Sequence, residues 1–208
     1  MKHVIYILLT LFLLASCQKE EYVGTPRGMG TLVLETLSVQ TENVNTVFTR
    51  AVEPDLYVEI WQNGQLLTGQ RYEPGKVPGK LDLPAGVYLL KTYNQAYQDM
   101  SGWLDTEKGN MAFSAEKDFE IESNEINYLS VEVPMVNIGV SLKLPEGFSD
   151  RFKDYHFTVQ VGNRSVEISN GETAYFPLSE VTYILSATNN DGENKTKSKT
   201  IKSPVAGT

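Results

Sequence analysis

The side chain best placed for chemistry is that of Cys17, the only cysteine in the 208-residue chain. It follows an N-terminal segment in which Lys2 precedes the apolar run VIYILLTLFLLA, and small residues lie directly before it. A basic start, an apolar run and small residues in this order are typical of a secretory signal peptide. The run is shorter than the roughly twenty residues that a membrane-spanning helix needs. We therefore interpret residues 1–16 as an export signal and not as a membrane anchor.

The tetrad LASC at residues 14–17 resembles the bacterial lipobox, in which a peptidase cuts before the cysteine and lipid is attached to it. The alternative is a buried free thiol that happens to follow an apolar segment. A second resemblance, to the acidic export signal that sends Bacteroidota lipoproteins to the cell surface, covers Gln18, Lys19, Glu20 and Glu21. Such a run is also typical of a solvated tether. Together they imply an outer-membrane lipoprotein exposed at the cell surface, with outer-membrane lipid as its partner through Cys17 and a periplasmic location as the alternative.

Composition excludes several classes of function. The formal net charge is −8, and it becomes −9 once residues 1–16, which include Lys2, are removed, and this charge does not favour nucleic acid as a partner. His156 is then the last histidine, so clustered His/Cys zinc sites are excluded, and so are nucleophilic triads that do not use His156. No pair among the 26 acidic residues is singled out by its spacing as a glycosidase pair. We expect no enzyme activity, no cofactor and no metal.

Apolar residues alternate with polar ones along most of the chain, and no segment sustains a helical period, which predicts an all-β protein. The segment LYVEIWQ at 56–62 runs into Asn63-Gly64, the strongest short signal for a hairpin turn. The cleanest alternation is VNIGVSLKL at 136–144, which should open a new sheet. We predict tandem antiparallel β-sandwich domains over residues 29–134 and 135–208, after the signal peptide 1–16 and a lipidated tether 17–28.

The second predicted domain raises two open questions. In its last strand candidate, 195–201, Lys195, Lys197 and Lys199 share one face. Lysines of this kind commonly protect an edge strand from unwanted pairing, and a basic patch for a partner is the alternative. Because an antiparallel sandwich needs a partner for each edge, either the sequence is an incomplete fragment or this domain keeps an open groove.

The longest stretch without clear periodicity, residues 93–113, is a candidate ligand-binding loop. It contains Tyr93, Tyr97 and Trp103 near Asp99, Asp105 and Glu107, and Tyr97 and Trp103 are the candidate ligand-binding residues. Aromatic faces beside carboxylates suit sugar rings, so a surface lipoprotein that binds glycans through this loop is an alternative function. Packing of the same aromatic rings against the core or as a lid is the competing interpretation.

Several segments resemble one family in the same order, namely the lipobox, GMGTLVLETLSV, FTRA at 48–51, LDLPAGVYLLKTYN and INYLSVEVPMVNIGVSLKL. Together they resemble an uncharacterised lipoprotein domain family of Bacteroides-type bacteria that is related to the fimbrillin-like proteins of the type V pilus class. The resemblance implies fimbrillin-like or transthyretin-like β-sandwiches, surface display, and a role in adhesion or as a minor or anchor component of a fimbria-like assembly. Its implied partners are other fimbrial subunits or a ligand on a host or bacterial surface.

Arg50 is the residue at which this resemblance implies proteolytic maturation. In type V pilins a lipid-anchored precursor is cut after an arginine, which frees a groove for a donor strand of the next subunit. Arg50 lies in VFTRAVEP, after the first strand candidate and before Pro54. The alternative is an arginine in a polar loop with no such role.

Overall fold

The computed structural model describes residues 28–40 and 55–207, and within them the expected all-β fold with antiparallel sheets is confirmed. The one α-helix in these ranges is the short α1 (Gln95–Asp99). The strands of the first half are β1 (Met29–Gln40), β2 (Leu56–Gln62), β3 (Gln65–Tyr72), β4 (Leu81–Pro84), β5 (Gly86–Asn94), β6 (Ser114–Ile121) and β7 (Ile126–Pro134). Those of the second half are β8 (Ile138–Ser141), β9 (Phe152–Val161), β10 (Arg164–Glu167), β11 (Thr173–Phe176), β12 (Val181–Asn189) and β13 (Asn194–Ile201).

The predicted hairpin at Asn63-Gly64 joins β2 to β3. Both turn residues have positive φ, 52° at Asn63 and 75° at Gly64, as a type I′ turn requires. The two strands pair antiparallel, and Gln62 faces Gln65 next to the turn. The turn sets the register only for the pairs beside it, because the register shifts between Glu59 and Trp61 farther along β2.

Two sheets enclose the first core, with strand orders β4-β1-β7 and β3-β2-β5-β6. Their buried side chains alternate along the strands, and the outward positions between them are more polar. The buried core residues are Leu32, Leu37, Leu56, Val58, Ile60, Leu81, Leu83, Tyr88, Leu90, Phe113, Ile121, Leu129, Val131, Val133 and Met135.

Strand β1 occupies the middle of its sheet. It pairs antiparallel with β4 and parallel with β7, the one parallel pair among the described strands. A bulge between Leu34 and Thr36 shifts the alternation by one residue, so that both Leu32 and Leu37 reach the core. Gly30 is required at the start, because a Cβ there would lie 2.1 Å from the carbonyl oxygen of Glu122. The strand is thus closely fitted between two partners that are distant in sequence.

The second core lies between the four-stranded sheet β10-β9-β12-β13 and the two-stranded sheet β11-β8. The predicted strand at 136–144 begins this half as β8. It is shorter than expected because its ladder with β11 ends where Ser141 faces Thr173, and the N–H of Leu144 beyond it binds the side chain of Asn170. The buried residues of this core are Ile138, Val140, Leu142, Val159, Val161, Val166, Ile168, Ala174, Phe176 and Val181.

Candidate functional site

Most of the residues predicted to carry a function lie outside the part of the chain that the structure describes. These are the signal peptide 1–16, the lipidation site Cys17, the export signal Gln18, Lys19, Glu20 and Glu21, and the cleavage site Arg50. Tyr97 and Trp103 are described. Within residues 28–40 and 55–207, no helix is long and apolar enough to cross a membrane.

Asn94 organises the start of the predicted ligand loop. Its side-chain oxygen accepts hydrogen bonds from the backbone N–H groups of Tyr97 at 3.1 Å and Phe113 at 3.0 Å, and its amide donates to the carbonyl of Met111 at 2.7 Å. The first of these bonds caps helix α1. One side chain therefore joins both ends of the loop and fixes the position of Tyr97.

Trp103 packs at a different place, against the second core. Arg164 lies with its guanidinium carbon 5.3 Å from the centre of the Trp103 ring and 4.8 Å from that of Phe176. Its nitrogens donate to three backbone carbonyls, of Leu104 (3.1 Å), Tyr175 (2.6 Å) and Glu107. Burial lowers the pKa of Arg164 from its usual value, and the nearby charges of Glu107 and Asp105 oppose that shift.

Further bonds fasten the same loop to the second half of the chain. The fully buried side chain of Asn137 accepts from the N–H of Ala112 and donates to the carbonyl of Asn110, both at 2.9 Å. Lys108 contacts Glu172 at 2.5 Å. Trp103 therefore packs against the protein, as the competing interpretation of this loop predicts. Tyr97 belongs to another cluster.

That other cluster lies on the outer face of the sheet β3-β2-β5-β6. Opposite the core-facing residues of β2, the side chains of Tyr57, Glu59 and Trp61 point outward. Cross-strand pairing places Glu59 between Arg71 of β3 and Lys91 of β5, and Lys91 in turn faces Glu116 of β6. The salt bridges measure 3.4 Å from Arg71 to Glu59 and 2.7 Å from Lys91 to Glu116. A row of alternating charges therefore crosses all four strands.

Three tyrosines run along one side of this charged row. The rings of Tyr57 and Tyr93 are stacked with centres 5.5 Å apart, and Tyr97 tilts against Tyr93 at 6.0 Å. We call Tyr57, Tyr93 and Tyr97 the tyrosine platform. The guanidinium of Arg71 lies 5.8 Å from the centre of the Tyr57 ring. On the other side of the row, the Lys91 ammonium lies 4.7 Å from the centre of the Trp61 ring.

Glu59 is the buried centre of this face. It is 7% exposed, and its two carboxylate oxygens accept hydrogen bonds from the Tyr93 hydroxyl at 2.5 Å and the Trp61 indole at 2.9 Å. Burial, followed by the hydrogen bond and negative charge of Glu59, raises the pKa of Tyr93 to about 12. Tyr93 is therefore a neutral donor, and both aromatic side chains are held by the same acid.

Sequence reasoning singled out Tyr97 and noted Tyr93 in the same loop, but it missed Tyr57 and the charged row. A signal was present in LYVEIWQ, where Tyr57, Glu59 and Trp61 alternate with the core residues and place two aromatic rings beside an acid on the outer face. What joins them to Tyr93 and Lys91 is the register between β2 and β5. Local alternation does not supply that register.

The second core carries an open groove of about 560 Å³. Phe157, Tyr183 and Leu185 line it together with residues of β8 and β13. Because Lys197 pairs with Leu185 and Lys199 with Tyr183, these lysines lie on the core-facing side of their sheet. Within the described strands β13 is an edge, so the position is compatible with both interpretations of the lysine face.

His156 lies on β9 and contacts Glu167 at 2.7 Å, and both side chains are well exposed. Among residues 28–40 and 55–207 no group of three or more His, Cys, Asp or Glu side chains has the geometry to hold a metal ion. The surface pair His156–Glu167 thus stands apart from the clusters described above.

Comparison with known proteins gives one family and several similar folds. Solved structures that resemble the chain include a "putative adhesin" from Bacteroides ovatus, with 13% identity, coverage of 84% of this chain and 83% of that one, and a TM-score of 0.42. A fimbrilin from Porphyromonas gingivalis is 10% identical, with 86% of this chain and 81% of that one covered and a TM-score of 0.47. The Bacillus anthracis TIE protein is 13% identical, with 87% of this chain and 32% of that one covered and a TM-score of 0.33. No curated protein matches the chain.

The family match covers nearly all of the chain after its N-terminal segment. A model described as a domain of unknown function, DUF4493, matches residues 28–208. The expected membership in an uncharacterised domain family is thereby confirmed. The chain belongs to the DUF4493 family of domains of unknown function.

Proposed function

We propose that this chain is a lipid-anchored cell-surface protein that acts in adhesion or as a minor or anchor component of a fimbria-like assembly. The role requires binding and no catalysis. The observation that carries it is the placement of β1, which fills the middle of a sheet but is joined to β2 through the segment that contains Arg50. The lipobox at Cys17 supports the anchored location.

The position of β1 suits a strand that one subunit replaces with that of another. Both of its partners, β4 and β7, pair with it through backbone hydrogen bonds that any extended segment offers. Its specific contribution to the first core is apolar, chiefly Leu32 and Leu37. A donor strand with apolar side chains at the positions of Leu32 and Leu37 would restore the sheet.

Hydrolysis of the Arg50–Ala51 peptide bond would have two consequences. It would free β1 to leave, exposing the edges of β4 and β7. It would also separate the body of the protein from the lipid, because Cys17 precedes the cut. An uncut chain stays attached to the membrane, which is the behaviour expected of an anchor component.

Strand exchange is tested directly on the purified mature chain. After digestion with an arginine-specific protease, a fluorescent peptide of residues 29–40 should bind with a rise in anisotropy, whereas undigested protein should not bind it. The Arg50→Ala protein should remain unable to bind after the same treatment. A peptide carrying Asp at both Leu32 and Leu37 is the matched control. Equal binding of both peptides would reject strand exchange.

Surface location is tested on intact producing cells. Trypsin should release peptides from residues 55–207 when Cys17 is present, and mass spectrometry of the mature N-terminus should begin at a lipidated Cys17. In Cys17→Ala cells the protein should leave the surface fraction. Cells that resist trypsin while their lysates are digested would place the protein in the periplasm and reject a role in adhesion.

A further inference from the structure

We infer that the groove of the second half binds an extended acidic strand of another polypeptide. The groove has a volume of about 560 Å³ and lies between β13 and the edge of β8 that no described strand covers. The inference rests on the proposed function, which it deepens by naming the kind of partner that an adhesive or assembling protein would hold. It requires neither cleavage at Arg50 nor release of β1.

One wall of the groove is a strand edge that offers backbone hydrogen bonds. The N–H of Leu142, one residue past β8, donates to the residue before β11. Because successive residues of a strand direct their backbone groups to opposite edges, those of Gly139 and Ser141 point away from β11, toward the groove that both residues line. On this second edge the carbonyl of Asn137 accepts from the N–H of Gly207 at 2.9 Å. Beyond Asn137 the edge can pair with an added strand.

The floor of the groove is apolar and only partly covered. Phe157 and Tyr183 stack with ring centres 6.1 Å apart, and Leu185 pairs with Phe157 across the sheet. All three keep part of their surface exposed, although they face the same side as the buried Val159 and Val181. Covering such apolar surface with another chain is favourable. The floor therefore contributes affinity, but it does not specify the occupant.

Charge on the opposite wall specifies the occupant. Lys197 and Lys199 line the groove and are exposed, and no salt bridge joins either of them to a carboxylate within residues 28–40 and 55–207. Alternate residues on one face of a strand are roughly 6.7 Å apart, so a strand with carboxylates at alternate positions matches both lysines at once. An acidic sugar or lipid would use the lysines but would leave the backbone edge of β8 unpaired.

Protection of an open edge accounts for the lysines but not for the whole groove. Lysines on β13 discourage pairing with unwanted strands, and the β13 edges of two copies would repel each other. The edge of β8 across the groove has the sequence IGVS and no charge of its own. An uncharged strand on this edge would cover the ammonium groups without pairing them, whereas an acidic strand pairs them. The lysines thus select a partner by excluding the others.

Fluorescence anisotropy of short synthetic peptides on the purified mature chain in detergent tests the inference. The peptide TVTETETVT places both glutamates on one face of a strand, whereas TVTEETTVT has the same composition and places them on opposite faces. We expect the first to bind at low ionic strength. The second should bind about fivefold more weakly, because one of its carboxylates points away from the lysines.

Charge reversal on the protein identifies the groove as the place of binding. Lys197→Glu/Lys199→Glu should weaken binding of TVTETETVT about tenfold or more and should bind TVTKTKTVT instead. Lys76→Glu/Lys80→Glu, at exposed positions of the first half, makes the same change in net charge and should leave the affinity unchanged. Circular dichroism of each variant checks that the fold is retained.

Four results would overturn the inference. TVTETETVT does not bind; its isomer binds equally well; Lys197→Glu/Lys199→Glu changes neither affinity; or dextran sulfate binds through these lysines while the peptide does not, which would assign them to an acidic polysaccharide. Since the assay uses the uncleaved chain with β1 in place, its failure leaves strand exchange at β1 untouched. Failure of strand exchange likewise leaves a positive peptide result standing.

Discussion

The two cores of this chain differ in how completely a second sheet covers the first. In the first core a three-stranded sheet lies over a four-stranded one, and side chains of both sheets are buried between them. In the second core two strands lie over four, and Phe157, Tyr183 and Leu185 remain partly exposed in a groove.

The difference between them is a single strand. β1 closes the first core by inserting between β4 and β7, whereas no described strand does the same beside β8. The exposed side of the second core has lysines where a closed sandwich would have apolar residues. Inward-pointing charge discourages another chain from pairing at an open edge. One strand, β1, therefore accounts for the more complete coverage of the first core.

Removal of Arg164 should have the largest effect, because this side chain fastens the 103–112 loop to the second core. Arg164→Ala leaves three carbonyl groups without their donor and removes the cation between Trp103 and Phe176. We expect a loss of about 4 kcal/mol in the free energy of unfolding, from unpaired buried groups at roughly 1–3 kcal/mol each. Urea unfolding monitored by tryptophan fluorescence measures it.

The control for that variant is Arg151→Ala, at an exposed position. It should change stability by less than about 0.5 kcal/mol. A similarly small change in Arg164→Ala would show that the contacts between the 103–112 loop and the second core contribute nothing to stability.

Truncation of one leucine in each core tests the difference in coverage. Leu32 is 1% exposed in the closed core, so Leu32→Ala should cost about 3 kcal/mol. Leu185 is only partly buried beside the groove, so Leu185→Ala should cost about 1 kcal/mol. Equal losses, measured by urea unfolding, would contradict the description of the second core as open.

A smaller effect of opposite sign is expected at Thr92 in the closed core. Thr92 is fully buried, and among the described residues its hydroxyl has no hydrogen-bond partner. Thr92→Val keeps the shape and removes the unpaired hydroxyl, so it should stabilise the protein by about 1 kcal/mol. Thr182→Val in the second half is the matched control, because it removes a bond of 2.9 Å to Thr200 and should not stabilise.

The smallest effect concerns how stability depends on pH through the Lys108–Glu172 pair, which links the 103–112 loop to the second half of the chain. Hydrogen bonds from Lys108 and the backbone of Ser169 hold the pKa of Glu172 below its usual value. A lowered pKa in the folded state means that this contribution is present above the unfolded pKa of 4.5 and is lost as the pH falls through the folded value. Glu172→Gln should flatten the decline in thermal midpoint below about pH 5. An unchanged slope would exclude Glu172 as its source.

Local pattern was sufficient to predict much of the fold. Alternation in LYVEIWQ and the turn residues Asn63-Gly64 specify a hairpin through short-range sterics alone, and the structure has it. Alternation after Val136 likewise predicted the strand that begins the second half. In both cases the sequence pattern that allowed the prediction lies within a few residues.

The rest depended on contacts between distant segments. Trp103 meets Arg164 across about sixty positions, and nothing in the loop itself distinguishes a ring that packs from one that binds a ligand. The parallel pairing of β1 with β7 was also not predicted, because alternation shows which face of a strand is buried and not which neighbour it has.

That parallel pairing also sets an order of events in time. Thr31 of β1 pairs with Ile126, 95 positions later, while β2 and β3 meet across a two-residue turn. Contacts this far apart form slowly, because the intervening chain must be ordered first. During synthesis β1 emerges before both of its partners, so we expect the four-stranded sheet to assemble before β1 is paired. We therefore expect insertion of the first strand to be the last step in folding of the first core.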